Sequence, residues 1–236
     1  MSWRTNKVVV WARNIGRLTG LNRRLAVWLN GRGYETRYDQ SLSAILRAGD
    51  CVWDVGANVG YYTRMFSERI GESGEVFAFE PSPTNFARLC EECRSLSNAR
   101  FNPIGLGRES GTVTFLQGSD ELGATSRIVE HQQSGSSSSD TLVEIRSGAG
   151  IIRSGEATSP NIIKIDVEGF ELEVLQGLGK ALSAESLRAI GVEVHFGLLE
   201  QRCISDGPRQ IENLLLEHGF KVDWPDSSHI LATRRQ

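Results

Sequence analysis

The sequence predicts an α/β fold: a doubly wound, mostly parallel sheet with an antiparallel C-terminal strand, preceded by N-terminal helices. Two observations predict it. From residue 51 onward, short apolar runs of strand length alternate with helical patterns, the order expected of parallel strands joined by crossover helices. Three of these runs end in an acid, Asp54, Glu80 and Asp166, and two of the three turns that follow carry a glycine, Gly56 and Gly169. In open α/β sheets ligands lie beyond the carboxyl ends of the strands, where glycine lets the backbone come close.

The elements follow in order. Over residues 8–30, Val9, Val10, Ile15, Leu18, Leu21, Leu25, Trp28 and Leu29 recur at near-helical spacing with arginines between them, so one or two helices are expected, with a break near Gly20. Residues 34–38 read as a short strand or extended lead-in. Residues 41–48 read as a helix stopping at Gly49. Residues 51–54 form a strand, 61–70 a helix ending at Gly71, and 75–80 a second strand. Ser82 and Pro83 suit the start of a helix running to about residue 96, and residues 100–104 make a third strand. Residues 111–117 alternate as a strand. The polar stretch 118–140, with Ser134-Gly-Ser-Ser-Ser-Ser inside it, reads as a long surface loop, either a binding loop or a tolerated insertion. Residues 141–145 and 151–153 suggest a hairpin around Gly148-Ala-Gly150. Residues 161–166 are a buried-type strand, 170–182 a helix, 187–195 a strand and 208–218 a helix capped by Gly219. Residues 220–224 and 229–233 close the chain as an antiparallel pair.

With 236 residues, the chain is long enough to form one α/β domain that buries roughly 70–75% of its unfolded surface. The formal charge of −3 argues against general nucleic-acid binding. Charge is uneven, however: residues 1–50 hold nine Lys/Arg against three Asp/Glu. That basic segment is either the exposed face of a flanking helix or a surface for an acidic partner, a membrane or an anionic substrate. No run of 18 apolar residues predicts a transmembrane helix, and no secretory signal is recognisable, so a cytoplasmic protein with reduced thiols is expected. Cys90 and Cys93 form a C-x-x-C inside a helical pattern without a second ligand pair, so zinc is not expected.

The strand-end chemistry points to an adenosine-bearing cofactor. A dinucleotide site wants G-x-G-x-x-G for its pyrophosphate, whereas this chain has only Gly56-x-x-x-Gly60 led by Asp54. An acid at that turn suits a cationic ligand such as S-adenosylmethionine, and Glu80 at the next strand end suits ribose hydroxyls. Asp166, Glu168 and His195 are the candidates for chemistry. Glu193 and His195 are two apart, so they face the same side of a strand, whereas Asp166 and Glu168 would do so only if their strand ran on, and Gly169 suggests a turn there. His195 is the best base by its intrinsic pKa; a structural histidine is the competing reading. Asp166 is placed to orient the cofactor amine or the acceptor, and Asp166 with Glu193 is a possible Mg²⁺ pair. Lys164 shares the face of Asp166 and reads otherwise as a surface lysine.

Residues 52–63, Phe79-Glu80-Pro81, residues 104–111 and above all Ile163-Lys-Ile-Asp-Val-Glu-Gly-Phe-Glu-Leu-Glu-Val-Leu-Gln-Gly177 resemble the FkbM-type family of S-adenosylmethionine-dependent methyltransferases. The resemblance runs over about residues 40–235. It divides the chain into an N-terminal helical extension, 1–40, and a methyltransferase domain, 41–236, of the class-I, Rossmann-like kind. It implies O-methylation of a sugar, glycan or natural-product hydroxyl. It also implies that Asp54, Gly56, Asn58 and Gly60 contact the methionine end, that Glu80 and Pro81 contact the ribose region, and that Ile104 and Gly105 lie by the adenine. The family tends to carry Ala where Gly105 stands, which predicts a looser adenine wall here. A nicotinamide oxidoreductase and a non-catalytic cofactor-binding module are the competing readings.

Overall fold

The structure is a computed structural model, and it describes residues 35–116, 127–129 and 140–234. The predicted helices over residues 8–30 and most of the serine-rich stretch lie outside the described residues.

The first described element is α1 (Glu35–Ile45). This corrects the expected lead-in over residues 34–38: the helix begins earlier and ends before Gly49. Tyr38 and Leu42, one turn apart, are both fully buried on it, so the apolar stripe starts in the segment read as extended.

Seven strands form the main sheet in the order β10-β11-β9-β8-β1-β2-β3. They are β1 (Cys51–Val55), β2 (Glu75–Phe79), β3 (Ala99–Asn102), β8 (Ile162–Ile165), β9 (Ala189–Glu193), β10 (Phe220–Asp223) and β11 (His229–Arg234). β1 pairs in parallel with β2 and with β8, β8 with β9, and β2 with β3. β11 runs antiparallel between β9 and β10, as the sequence predicts. All five residues of β1 and all four of β8 are buried, the near-continuous apolar pattern of strands covered on both faces. The chain turns one way from β1 to β2 and β3 and the other way through β8 and β9. The junction of β1 and β8 is therefore the switch point at which such sheets bind ligands.

The covering helices are α2 (Tyr61–Ile70), α3 (Pro83–Glu92), α5 (Glu171–Leu178) and α7 (Gly207–Glu217). The capping signals hold at α2, which ends on Gly71, and at α3, where the Ser82 hydroxyl accepts the Asn85 N–H at 3.4 Å. α5 is shorter than expected and passes into a 3₁₀ turn at Gly179–Ser183.

A second sheet, in the order β4-β7-β5-β6, was not anticipated. It comprises β4 (Gly105–Gly107), β5 (Gly111–Leu116), β6 (Arg127–Val129) and β7 (Asp140–Ser147). β6 is a strand inside the stretch read as loop. The run expected as one strand over 100–104 breaks, and β4 pairs with β7 instead. The expected hairpin around Gly148 is also corrected, because the segment is α4 (Gly148–Ser154), where the Ser147 hydroxyl accepts the Gly150 N–H at 3.2 Å. Gly148 serves packing rather than a hairpin: a Cβ there would lie 2.7 Å from Leu178 Cδ2 and 3.3 Å from Trp53 Cζ3. Among the described residues no helix is long and apolar enough to cross a membrane.

Candidate active site

The site forms where the carboxyl ends of β1, β2, β8 and β9 meet. Gly56 leaves β1 with φ +78°, and a Cβ on it would lie 1.8 Å from the Asp166 carbonyl oxygen. The two central strands can approach this closely only because residue 56 is glycine. Asn58 follows with φ 52°, also left-handed. Its N–H donates to Glu80 Oε2 at 2.8 Å, while the Ser82 N–H donates to Oε1 at 2.9 Å. Glu80 is thus wedged between the glycine turn and the start of α3, and only 5% of its surface is exposed. Burial pushes its carboxyl up to about 7, against the lowering pull of those two N–H groups and of Lys164.

Asp54 has no exposed surface. The Thr63 hydroxyl donates to its Oδ2 at 2.6 Å, and Lys164 Nζ stands 3.4 Å from Oδ1. Its carboxylate thus stands between α2 and Lys164 on the neighbouring strand. Lys164 is itself 3% exposed, which corrects its reading as a surface lysine. Its ammonium donates to the Gly56 carbonyl at 3.1 Å and lies 3.4 Å from Asp166 Oδ2 and 4.8 Å above the Tyr62 ring. Burial opposes its charge, but Asp54 and Asp166 outweigh that and hold its pKa above the ordinary value.

Gly60 is also needed for packing. A Cβ there would lie 2.4 Å from Cys93 Sγ, so its missing side chain lets α2 start against the end of α3. The predicted looseness at Gly105 is also corrected. The space of its absent methyl is filled by Ile145, whose Cδ1 would lie 2.6 Å from a Cβ, with Pro81 Cβ at 3.5 Å. Ile104 packs against the main core beside them. Pro81, Ile104 and Gly105 thus form one wall adjoining Glu80.

Beyond β8 the chain turns sharply: Glu168 has φ 52° and Gly169 φ +94°. A Cβ on Gly169 would lie 2.9 Å from Leu198 Cβ, which fixes glycine here. This is the turn that Gly169 suggests in the sequence, so Asp166 and Glu168 do not alternate along a strand. Arg202 clamps it, donating to the Gly169 carbonyl and to Glu173 Oε1 at 2.6 Å, with its guanidinium 3.7 Å over the Phe170 ring.

His195 lies past the end of β9, as the first residue before α6 (Phe196–Gln201). Its Nε2 is 3.3 Å from Glu168 Oε2 and 3.6 Å from Asp166 Oδ1. Its Nδ1 is 2.6 Å from Oε1 of Glu171, which has no exposed surface and also accepts the Gly169 N–H at 2.9 Å. The three candidates for chemistry are therefore brought together, and Glu171 joins them unannounced. Burial works to lower the ring's pKa, but Glu168, Glu171 and Glu193 outweigh it and carry it to about 10. These carboxylates therefore favour the protonated ring in the ligand-free site. Glu193, the other half of the expected Mg²⁺ pair, faces His229 Nε2 at 3.6 Å.

The sheet order, the glycine turn at the switch point and the two strand-end acids are those of a class-I methyltransferase. Residues 54–222 match the methyltransferase FkbM domain. The chain belongs to the FkbM methyltransferase family. It is 33% identical over 169 residues to the hexuronic acid methyltransferase AglP of Haloferax volcanii, a match that covers 71% of this chain and 62% of that protein. It is 26% identical over 214 residues to Methyltransferase 1 of Beauveria bassiana, covering 77% of this chain and 80% of the other. Among solved structures it is similar in fold to the methyltransferase FkbM from Methylobacillus flagellatus, with a TM-score of 0.55 at 18% identity over 81% of this chain and 45% of that one.

Proposed function

We propose that the chain transfers a methyl group from S-adenosylmethionine to a hydroxyl of a sugar, with hexuronic acid units of a glycan as the first acceptors to test. The cofactor fits an observation on Glu80. Each of its oxygens takes one backbone N–H, which leaves on each a second lone pair for a ribose hydroxyl. Gly56 and Asn58 shape the turn beneath the methionine end, and Asp54 with Lys164 keeps that turn against β8. Asp166 is half-buried and offers a carboxylate beside it for the cofactor amine. When bound, the sulfonium supplies an electrophilic methyl group whose bond to sulfur breaks as the acceptor oxygen attacks, leaving a neutral thioether.

The chain's own residues must then hold the acceptor in line and let its proton go. Alignment of the two reactants supplies most of the barrier reduction. The observation that carries the reading is the carboxylate-lined pair of turns, Asp166 and Glu168 against His195, next to the cofactor edge. On hexuronic acid units the reading is ether formation at a ring hydroxyl, not esterification.

The test is incubation of the full chain with a labelled methyl donor and hexuronate-bearing or neutral oligosaccharides, followed by mild alkali. Label that survives alkali is an ether and supports the proposal. Label released by alkali is an ester and overturns it. Binding of NADH but not of S-adenosylmethionine in calorimetry would favour an oxidoreductase instead.

A further inference from the structure

Transfer to a sugar hydroxyl leaves one chemical problem. Such a hydroxyl is a weak acid, and the carboxylates around it are weak bases. The site needs something that makes the bound oxygen more acidic, and the arrangement of donor atoms around His195 suits one such agent.

Asp166, Glu168 and His195 each offer one donor atom, and those atoms all lie within 4.8 Å of one another. In an octahedral ion with bonds of about 2.1 Å, adjacent ligands are about 3.0 Å apart. The His195 Nε2 distances of 3.3 Å to Glu168 and 3.6 Å to Asp166 are therefore close to those from one corner to two neighbouring ones. Small rotations of two carboxylates, one of them 40% exposed, close the difference.

A second observation comes from outside the cluster. Glu171, wholly buried on α5, takes the Nδ1 side of the ring at 2.6 Å and is itself fixed by the Gly169 N–H. A buried carboxylate behind a histidine fixes the ring's orientation and places the other nitrogen as the ligand, an arrangement typical of metal-bound histidines. Here the nitrogen so aimed belongs to a side chain only 6% exposed, and it points at two carboxylates on the facing turn. The positive neighbour, Lys164, lies on the far oxygen, Asp166 Oδ2, and leaves Oδ1 toward the histidine.

We propose that Asp166, Glu168 and His195 hold a divalent cation of the Mn²⁺ type, whose open positions take the acceptor's hydroxyl oxygens. Two carboxylates and one imidazole form a mixed oxygen and nitrogen set, which suits Mn²⁺ better than Ca²⁺ or a thiolate-seeking ion. Three protein ligands leave three octahedral positions, room for two neighbouring sugar oxygens and a water. A hydroxyl on the ion loses its proton more readily. In the step itself the oxygen–methyl bond forms, the methyl–sulfur bond breaks with its electron pair going to sulfur, and the hydroxyl proton passes to solvent water. This role rests on the proposed hydroxyl methylation, but the site itself does not.

The site is tested by titrating Mn²⁺ into the full chain without methyl donor, following loss of the free-ion signal by electron paramagnetic resonance. One ion per chain is expected. Asp166→Asn and Glu168→Gln should weaken binding by at least about 10-fold, and Glu171→Gln, which touches no ligand position, by about 10–100-fold. Circular dichroism checks that each variant is folded. If a variant fails to fold, Mn²⁺ should still raise the melting temperature of the unmodified chain. No binding at millimolar Mn²⁺, or binding that none of the folded variants weakens (an adventitious ion only), overturns the site. Tight binding to a chain that methylates no hydroxyl would overturn the functional reading and leave the site standing.

Discussion

Glu80→Ala should destabilise the ligand-free protein far more at pH 5 than at pH 8. The carboxylate is buried, and its pKa stands at about 7 against an ordinary 4.5. A carboxyl whose folded pKa is raised contributes stability that is complete below the unfolded pKa and is lost as pH rises through the folded one. The gap corresponds to about 3 kcal/mol in full, about three-quarters of it recovered between pH 8 and pH 5. Against this, the substitution strands the N–H groups of Asn58 and Ser82, at roughly 1–3 kcal/mol each. At pH 8 the relief of a buried charge offsets much of that loss. At pH 5 the unmodified side chain is already neutral, so no relief remains and the variant falls further behind by about 2–3 kcal/mol. Urea unfolding followed by tryptophan fluorescence, with Trp53 fully buried beside this edge, reads both values. An equal loss at the two pH values would refute the buried-carboxylate reasoning. At pH 8, where the variant stays folded, calorimetry should show S-adenosylmethionine bound roughly 10–150-fold more weakly.

Other substitutions probe the same edge. Gly56→Ala must place a Cβ 1.8 Å from a backbone oxygen at φ +78°, so a loss of at least about 3 kcal/mol is expected, and a melting temperature within two degrees of the original would contradict it. Lys164→Met leaves Asp54 buried without its cation and should cost about 3–5 kcal/mol in chemical denaturation. Adding Asp54→Asn should return part of that loss, and no recovery would mean the pair is not coupled. Gly105→Ala should cost about 1–2 kcal/mol because Ile145 Cδ1 fills the space, and Ile145→Val, which removes that carbon, should restore it; two losses that simply add would deny the contact.

The main sheet was legible because each of its inner strands, β1, β2 and β8, is a short apolar run between clear helix signals, and because Gly71, Ser82 and Pro83 mark helix ends chemically. The second sheet was not. β4 and β6 have only three residues each, too few for a period of two to register, and β5 and β7, both read as strands, pair with each other across close to thirty residues rather than in the expected hairpin. Gly148 and Gly150 looked like a turn, yet one glycine makes room for Leu178 and the other lies in the first turn of a helix capped by Ser147. A glycine needed for close packing and one needed for a turn are the same letter, and only the tertiary neighbour tells them apart. Gly60 and Gly105 repeat that lesson inside the candidate site.

For the site, sequence identified which acids stand at strand ends but not which of them face one another. Asp54 and Lys164 are 110 positions apart in the chain, and their pairing follows from the parallel register of β1 with β8, in which Asp54 stands opposite Lys164. That register was implicit in two apolar runs of similar length, so a lysine on the strand facing Asp54 carried a usable signal: a charge inside a buried run needs a partner. Glu171 carried a weaker one, an acid in the first turn of a helix that holds a second, Glu173, so that both read equally well as favourable charges at the helix start. What distinguishes it is His195, brought from 24 residues away by β9 and by a strand that ends two residues earlier than alternation suggested. Had β9 run on to His195, that ring would have shared a face with Glu193, and the cluster with Asp166, Glu168 and Glu171 would not form as it does. The chemistry of this site therefore depends on where a strand stops, and strand ends are set by the turn at His195 and the short helix after it rather than by the apolar pattern that identifies the strand.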